Sequence, residues 1–136
     1  RVPLIISWPG NIRSGTSDAL VNQIDFLHSF ATLLELDLPE GAAVDSRNTL
    51  DAFLGRSDQG LLFMIEEAAN AVALRKDNWK YIEFHASKYK PKPGAPELYD
   101  LSEDIAEANN VIKNYPEIAE LLKTQLHTLQ HSGKIR

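Results

Sequence analysis

Asn78-Trp79-Lys80-Tyr81-Ile82 and Glu97-Leu98-Tyr99-Asp100-Leu101 are the two stretches that decide the fold of this 136-residue chain. The first places the aromatic residues Trp79 and Tyr81 at alternating positions, and the second has Tyr99 at its centre; both are bounded by turn-forming residues, a pattern that is typical of a short β-strand. The two strands are predicted to pair antiparallel, with Tyr81 and Tyr99 as cross-strand neighbours. A sheet in the C-terminal half of the chain follows from this pair.

Two more strands are predicted just before this pair, at residues 61–65 and 71–75. The second of them forms a hairpin with residues 79–84 through a polar turn at 76–78. A last helix begins at Pro116, where proline is tolerated in the first turn, and Gly133 stops it. Its apolar stripe is formed by Ile118, Leu121, Leu122, Leu126 and Leu129. The fold class predicted for this half is therefore α+β, a four-stranded antiparallel sheet packed by a C-terminal helix.

The N-terminal part of the chain has a different pattern. Residues 2–8 form an almost continuous apolar run that Pro9-Gly10 ends, which predicts a strand buried on both faces of a mostly parallel sheet. No parallel partner strand is evident further along the chain, so that sheet is expected to lie upstream. Residues 36–57 are predicted to be a surface connection with one helical turn at 49–54, closed by Gly55.

A helix is predicted between the first strand and this connection. Asp25 is a candidate N-cap for it, and Pro39 and Gly41 are expected to end it. Its predicted apolar face contains the residues at positions i, i+3, i+4 and i+7, which are Leu27, Phe30, Ala31 and Leu34.

Composition excludes several classes of function. The chain has no Cys, so it holds neither a thiolate nucleophile nor Cys-ligated zinc. Its net charge of −5 argues against a general nucleic-acid binder. No apolar run approaches the roughly 18 residues that a membrane helix needs.

Two groups of residues have spacings that suggest a metal site. His127 and His131 are separated by one helical turn, but Thr128 follows His127 where a metalloprotease motif has Glu, and a solvated pair is predicted. Asp100, Asp104 and Glu107 lack the glycine turn and terminal Glu of a calcium loop, so capping and turn roles are predicted for them.

The ordered set of tracts resembles one known family. Residues 97–111 are similar to E-L-Y-D-L-x-x-D-P-x-E-x-x-N-L, the C-terminal end of the sulfatases, which are arylsulfatase-like hydrolases of the alkaline phosphatase superfamily; Ile105 stands where the family has Pro. Residues 1–10 resemble the sulfatase tract R-V-P-L-I-x-x-W-P-G. The tracts around Asp25 and at 45–55 resemble V-D-L-x-P-T and D-G-x-S-L…L-x-G, with His28 and Ser46 as departures.

The resemblance implies that residues 1–57 end the catalytic α/β domain of a sulfatase and that residues 58–136 form its C-terminal subdomain. Sulfatases hydrolyse sulfate esters with a formylglycine nucleophile and a divalent metal, usually calcium. In the family these groups lie upstream of the position that matches Arg1, so no catalytic, cofactor or metal residue is expected in this segment, which would be inactive alone. Ser7-Trp8-Pro9 matches part of the nucleophile motif, but Asn11 stands where Arg is required.

His85, Lys88 and Lys90 are the candidate substrate-binding residues, together with nearby Lys92. They precede a Pro-Gly loop, and two interpretations are open: a solvated, mobile loop, or a loop that faces an anionic sulfated substrate. The resemblance also implies that the upstream catalytic domain of the same polypeptide is a partner and that the protein is periplasmic or extracellular.

Two other hypotheses remain from the sequence. One is a related phosphate or phosphonate ester hydrolase, which only the upstream nucleophile would distinguish from a sulfatase. The other is a non-catalytic interaction module that packs against a partner through the second to fourth strands.

Overall fold

The computed structural model describes residues 3–132. The chain divides into two compact units, and the boundary falls between Leu61 and Leu62 in the sequence. The first unit contains helices and connecting segments, and the second contains a sheet and a helix. This arrangement confirms the predicted α+β class. The division after residue 57 that we expect between the parent protein's domains stays a prediction.

A four-stranded antiparallel sheet forms the centre of the second unit, with its strands in the order of the chain. The strands are β1 (Phe63–Ala68), β2 (Ala71–Lys76), β3 (Trp79–Phe84) and β4 (Glu97–Asp100). All four predicted strands are present, and only the bounds of β1 differ appreciably from the prediction. Two-residue turns join the first three strands, and the β2–β3 turn is tight because Asp77 adopts a left-handed φ of 52°, which Asp tolerates better than most residues.

Helix α3 (Pro116–His131) covers one face of this sheet and makes the core. Pro116 stands in its first turn, as predicted. Fully or almost fully buried side chains from both layers fill the interface: Leu74, Tyr81, Leu98, Leu122 and Leu126. Leu121 is an exception in the predicted apolar stripe, since it is 62% exposed. Gly133, the predicted end of the helix, lies outside the described residues.

The predicted pairing of Tyr81 with Tyr99 is wrong by one residue. Tyr81 lies opposite Leu98, and Tyr99 lies opposite Lys80. Because successive side chains of a strand point to opposite faces, this register puts the two tyrosines on different sides of the sheet. Tyr81 joins the core under α3, and Tyr99 lies on the other face.

The first unit is helical where it is regular. A 3-10 turn (Gln23–Asp25) leads into α1 (Phe26–Leu33), and α2 (Leu50–Phe53) forms the short turn predicted before Gly55. The strand predicted at residues 2–8 does not form in the described part of this segment: residues 3–8 have no regular secondary structure. A strand needs a neighbour for its backbone groups, and no strand of the described residues pairs with this segment.

The ends of α1 differ in part from the prediction. Asp25 stands at the N-cap position, as predicted, but its side chain makes no capping hydrogen bond to the helix. The Asn22 side chain caps the preceding 3-10 turn instead, by accepting a hydrogen bond from the Ile24 N–H. The helix ends before Pro39 because Glu35 adopts a φ of 54° and the Leu36 N–H donates back to the Ala31 carbonyl at 2.9 Å.

The predicted apolar face of α1 is largely exposed. Of its four residues only Ala31 is buried, whereas Leu27, Phe30 and Leu34 are each about half exposed or more. The opposite side of the helix, which carries Asp25 and Ser29, is the buried one.

We expect the core between α3 and the sheet to dominate the stability of the second unit. Leu126→Ala should lower the free energy of unfolding by about 3 kcal/mol, because Leu126 is completely buried and the truncation leaves a cavity. Leu121→Ala is the matched control on the same helix and should change it by less than about 0.5 kcal/mol. Urea denaturation followed by circular dichroism measures both, and equal effects would contradict this description of the core.

Candidate functional site

The predicted substrate-binding residues lie in the segment that joins β3 to β4. His85 directly follows β3, and its N–H donates to the Asn70 carbonyl at 2.9 Å. Ser87 and Lys90 then close a four-residue turn by exchanging backbone hydrogen bonds of 2.9 and 3.2 Å. The Ser87 hydroxyl also accepts from the Lys90 N–H at 3.1 Å. Lys88 and Lys90 are therefore brought onto one small turn, while His85 lies at its base.

This segment is positively charged within an acidic chain. Residues 85–96 include three lysines and no Asp or Glu. The side chains of His85, Lys88 and Lys90 are all exposed, and neither lysine forms an ion pair among the residues that the structure describes. A local cationic surface of this kind attracts anions.

Tyr89 is a feature of the same turn that the sequence reasoning missed. Its side chain is 83% exposed, and the Lys88 ammonium lies 6.0 Å from the centre of its ring. An exposed ring between two lysines offers an apolar surface next to positive charge. The alternation Lys-Tyr-Lys was the signal in the sequence that could have pointed to it.

Lys80 lies on the sheet face opposite α3 and has a structural role. Its ammonium contacts Glu107 at 2.9 Å and Glu66 at 3.1 Å. Burial works against the charged form, but the hydrogen bonds to the two carboxylates outweigh it and raise the pKa of Lys80 above its ordinary value. Glu107, for which a turn or cap role was predicted, thus ties the segment after β4 to β1 and β3.

The two histidines of α3 contact different partners in the described part of the chain. His127 Nε2 lies 2.8 Å from a Glu83 carboxylate oxygen on β3, and His131 Nδ1 lies 2.7 Å from the His127 carbonyl. His127 is partly solvated, since its side chain is 41% exposed, and its ring also joins the helix to the sheet.

The segment after β4 is shaped by side-chain oxygens, as predicted for Asp100 and Asp104. Asp100 accepts from the Ser102 N–H and hydroxyl at 3.0 and 2.6 Å. Asp104 accepts from the Asn109 N–H at 2.7 Å, and this hydrogen bond, with a further one from the Ala108 N–H, lowers the pKa of Asp104. Asn110 accepts from the Leu98 and Ile112 N–H groups, which holds the segment along the edge of β4.

Across residues 3–132, no three His, Asp or Glu side chains are grouped so that they could hold a metal ion. In the same part of the chain, none of the helices combines the length and apolar character of a membrane span.

Comparisons with known proteins match nearly the whole chain. Residues 1–132 match the family described as "N-sulphoglucosamine sulphohydrolase, C-terminal". An N-acetylgalactosamine-6-O-sulfatase of Bacteroides thetaiotaomicron is 37% identical over 96% of this chain and 27% of its own length. Arylsulfatase A of Bos taurus is 28% identical over 98% of the chain and 32% of its own length. The chain thus spans about a third or less of the curated relatives that it matches.

Solved structures show the same fold. One, from work on the metabolism of multiple glycosaminoglycans by Bacteroides thetaiotaomicron, superposes with a TM-score of 0.78 at 36% identity, over 91% of this chain and 28% of its own. Another, solved in complex with its substrate D-glucosamine-2-N,6-O-disulfate, has a TM-score of 0.69 at 20% identity over 93% of this chain and 27% of its own.

We expect the stability to fall as the pH rises from 10 to 12. Burial, and then the nearby Glu83 carboxylate, raises the pKa of Tyr81 from 10.0 to about 12. Burial and Glu97 likewise raise the pKa of Tyr99 to about 12. The folded state holds the protons of the two tyrosines more tightly than the unfolded state does. Their contribution to the free energy of unfolding is therefore complete below pH 10 and is lost as the pH approaches 12.

Urea denaturation at pH 9, 10 and 11 measures this loss. Tyr81→Phe should make the free energy of unfolding fall less steeply as the pH rises. The raised pKa of Lys80 also lowers stability at high pH, but it does so equally in both proteins. An equally steep fall in Tyr81→Phe would contradict the assignment to Tyr81.

Proposed function

Because this chain belongs to the sulfatase family and matches its C-terminal portion, we propose that the polypeptide containing it hydrolyses sulfate esters of carbohydrates. The 37% identity to an N-acetylgalactosamine-6-O-sulfatase over 96% of the chain is the observation that carries this proposal. It favours a 6-O-sulfated amino sugar as the substrate class. The second relative in sequence, an arylsulfatase A, belongs to the same class of hydrolase but is less similar.

The reaction itself is assigned to the region that precedes this chain. Within residues 3–132 the His, Asp and Glu side chains are not grouped in threes as metal ligands. We place the calcium ion and the formylglycine upstream, as the family resemblance implies. On the same resemblance we expect a periplasmic or extracellular location.

The role that we propose for the chain in this reaction is to contact the anionic substrate through the Ser87–Lys90 turn. Lys88 and Lys90 offer two exposed ammonium groups without carboxylate partners in the described chain. Tyr89 offers an apolar ring of the kind that packs against the C–H face of a sugar. Sulfate groups on neighbouring sugars of a polymer would meet the ammonium groups while the ring contacts the sugar between them.

The activity is tested with the longer polypeptide that includes the catalytic region. We expect release of sulfate from a 6-O-sulfated N-acetylgalactosamine substrate, measured by ion chromatography. A phosphate or phosphonate ester offered in parallel is the comparison. Hydrolysis of the phosphorus ester without sulfate release would overturn the sulfatase assignment in favour of the related hydrolase.

The turn is tested by Lys88→Ala combined with Lys90→Ala in the same polypeptide. We expect KM for a polysulfated oligosaccharide to rise about threefold to tenfold with kcat nearly unchanged, because two exposed charges contribute roughly 0.3–0.7 kcal/mol each to attraction of the anion. The difference from the unsubstituted protein should shrink in 0.5 M salt.

Lys123→Ala provides the control, because Lys123 is a half-exposed lysine on α3 that is paired with Glu120. If KM in the double variant equals that of the control, the turn does not contact the substrate.

A further inference from the structure

Helix α1 has its apolar residues on the outside. Leu27, Phe30 and Leu34 lie along one side of the helix, with Ile24 just before it, and they are 54%, 49%, 64% and 47% exposed in that order. These four residues are called the α1 stripe. The buried side of the same helix carries Asp25 and Ser29, both with no exposed surface. This distribution is the reverse of that of an ordinary surface helix.

Hydrogen bonds hold the polar side of α1 inward. The Asp25 carboxylate accepts from the Arg47 N–H at 2.8 Å. One turn later the Ser29 hydroxyl accepts from the Thr49 N–H at 3.0 Å. The Ser46 hydroxyl accepts from the His28 N–H at 3.2 Å. Because residues 46–49 are bonded to the helix at three points, α1 cannot turn its apolar stripe inward without breaking buried hydrogen bonds.

The stripe continues into an aromatic row. The Phe30 ring stacks on Phe26 at 5.4 Å between ring centres, and Phe26 contacts Phe53 of α2 at 5.0 Å. Phe53 is buried, so Phe30 is the exposed end of an ordered row of rings. An apolar surface that is already fixed by packing loses little side-chain entropy when a partner covers it.

Exposed apolar side chains are concentrated in this unit. Of the fifteen large apolar or aromatic residues that are exposed in the described chain, ten belong to residues 3–61. Contiguous exposed apolar surface in a soluble protein marks an interaction site. The stripe contains no charged residue, so it fits an apolar protein surface rather than an anionic sugar or nucleic acid.

We propose that the α1 stripe docks onto the preceding region of the same polypeptide, which buries Ile24, Leu27, Phe30 and Leu34 against an apolar surface there. This inference rests on the proposed function, which places a catalytic region before the chain. The occupant follows from the comparisons, because the matched family covers C-terminal regions and the chain matches only 27% of the length of its 37% identical relative.

Leu27→Glu tests the proposal because its effect should differ between two proteins. In the 136-residue chain alone the substitution should be neutral or slightly stabilising, since Leu27 is exposed and a carboxylate in the first turn of a helix is favourable. In the longer polypeptide the same substitution should lower Tm by roughly 5 °C or more, because it would bury a charge at the interface.

Leu121→Glu is the matched control, an exposed leucine on α3 that should leave Tm within about 1 °C in both proteins. Leu27→Ala is the second variant, to be used if Leu27→Glu does not fold in the longer polypeptide. It should lower Tm there by several degrees and should have no effect in the chain alone.

Three results would overturn the proposal. One is a Tm for the Leu27 variants in the longer polypeptide that equals that of the Leu121 control. Another is an equal lowering of Tm by the Leu27 variants in the 136-residue chain alone, which would show that Leu27 is buried within the unit itself. The third is conversion of a dimer to a monomer by Leu27→Glu, measured by light scattering, which would identify a second copy as the occupant. Since Tm needs no substrate, failure of the sulfatase assay would leave this result interpretable.

Discussion

The hydrogen bonds from Asp25 and Ser29 to the backbone of residues 47 and 49 decide which side of α1 faces inward. A completely buried carboxylate and hydroxyl have a high free-energy cost unless polar partners meet them, so the segment at 46–49 and the helix must stay together. The consequence appears on the other side of the helix. Its large apolar side chains Leu27, Phe30 and Leu34 therefore stay exposed, and our proposal is that a surface outside the unit covers them.

The second unit, in contrast, buries large apolar side chains within itself. Its sheet and α3 cover each other's apolar surfaces, with Tyr81 and Leu126 at the centre. The polar contacts lie around this core, where Lys80 joins Glu66 to Glu107 and where Glu83 holds His127 against the sheet. A rigid frame of this kind can present the Ser87–Lys90 turn from the end of β3, which is the position that our proposed substrate contact needs.

Local patterns in the sequence predicted the elements well, because alternation of aromatic residues and helical spacing are local properties. They could not predict which neighbour each element meets. The pairing of Tyr81 with Leu98 depends on the length of the loop at 85–96 and on Asn110, which holds β4 from beyond its own end. The contacts Lys80–Glu107 and Glu83–His127 join residues 27 and 44 positions apart. In α1 the sequence identified the apolar face, but whether a neighbour within the unit covers that face depends on tertiary contacts. The positive charge of Lys88 and Lys90 was evident from the sequence, whereas the exposure of Tyr89 needed the structure.

Hydrogen–deuterium exchange of α1 amides, compared between the 136-residue chain and the longer polypeptide with its preceding region, tests most directly whether the first unit depends on an outside surface. We expect the amides of Phe30 to Leu33 to exchange at least about tenfold more slowly in the longer polypeptide, because covering the stripe opposes local opening. The amides of α3 around Leu126, whose core is complete in this chain, should exchange at similar rates in both. Equal protection of α1 in the two proteins would contradict the account.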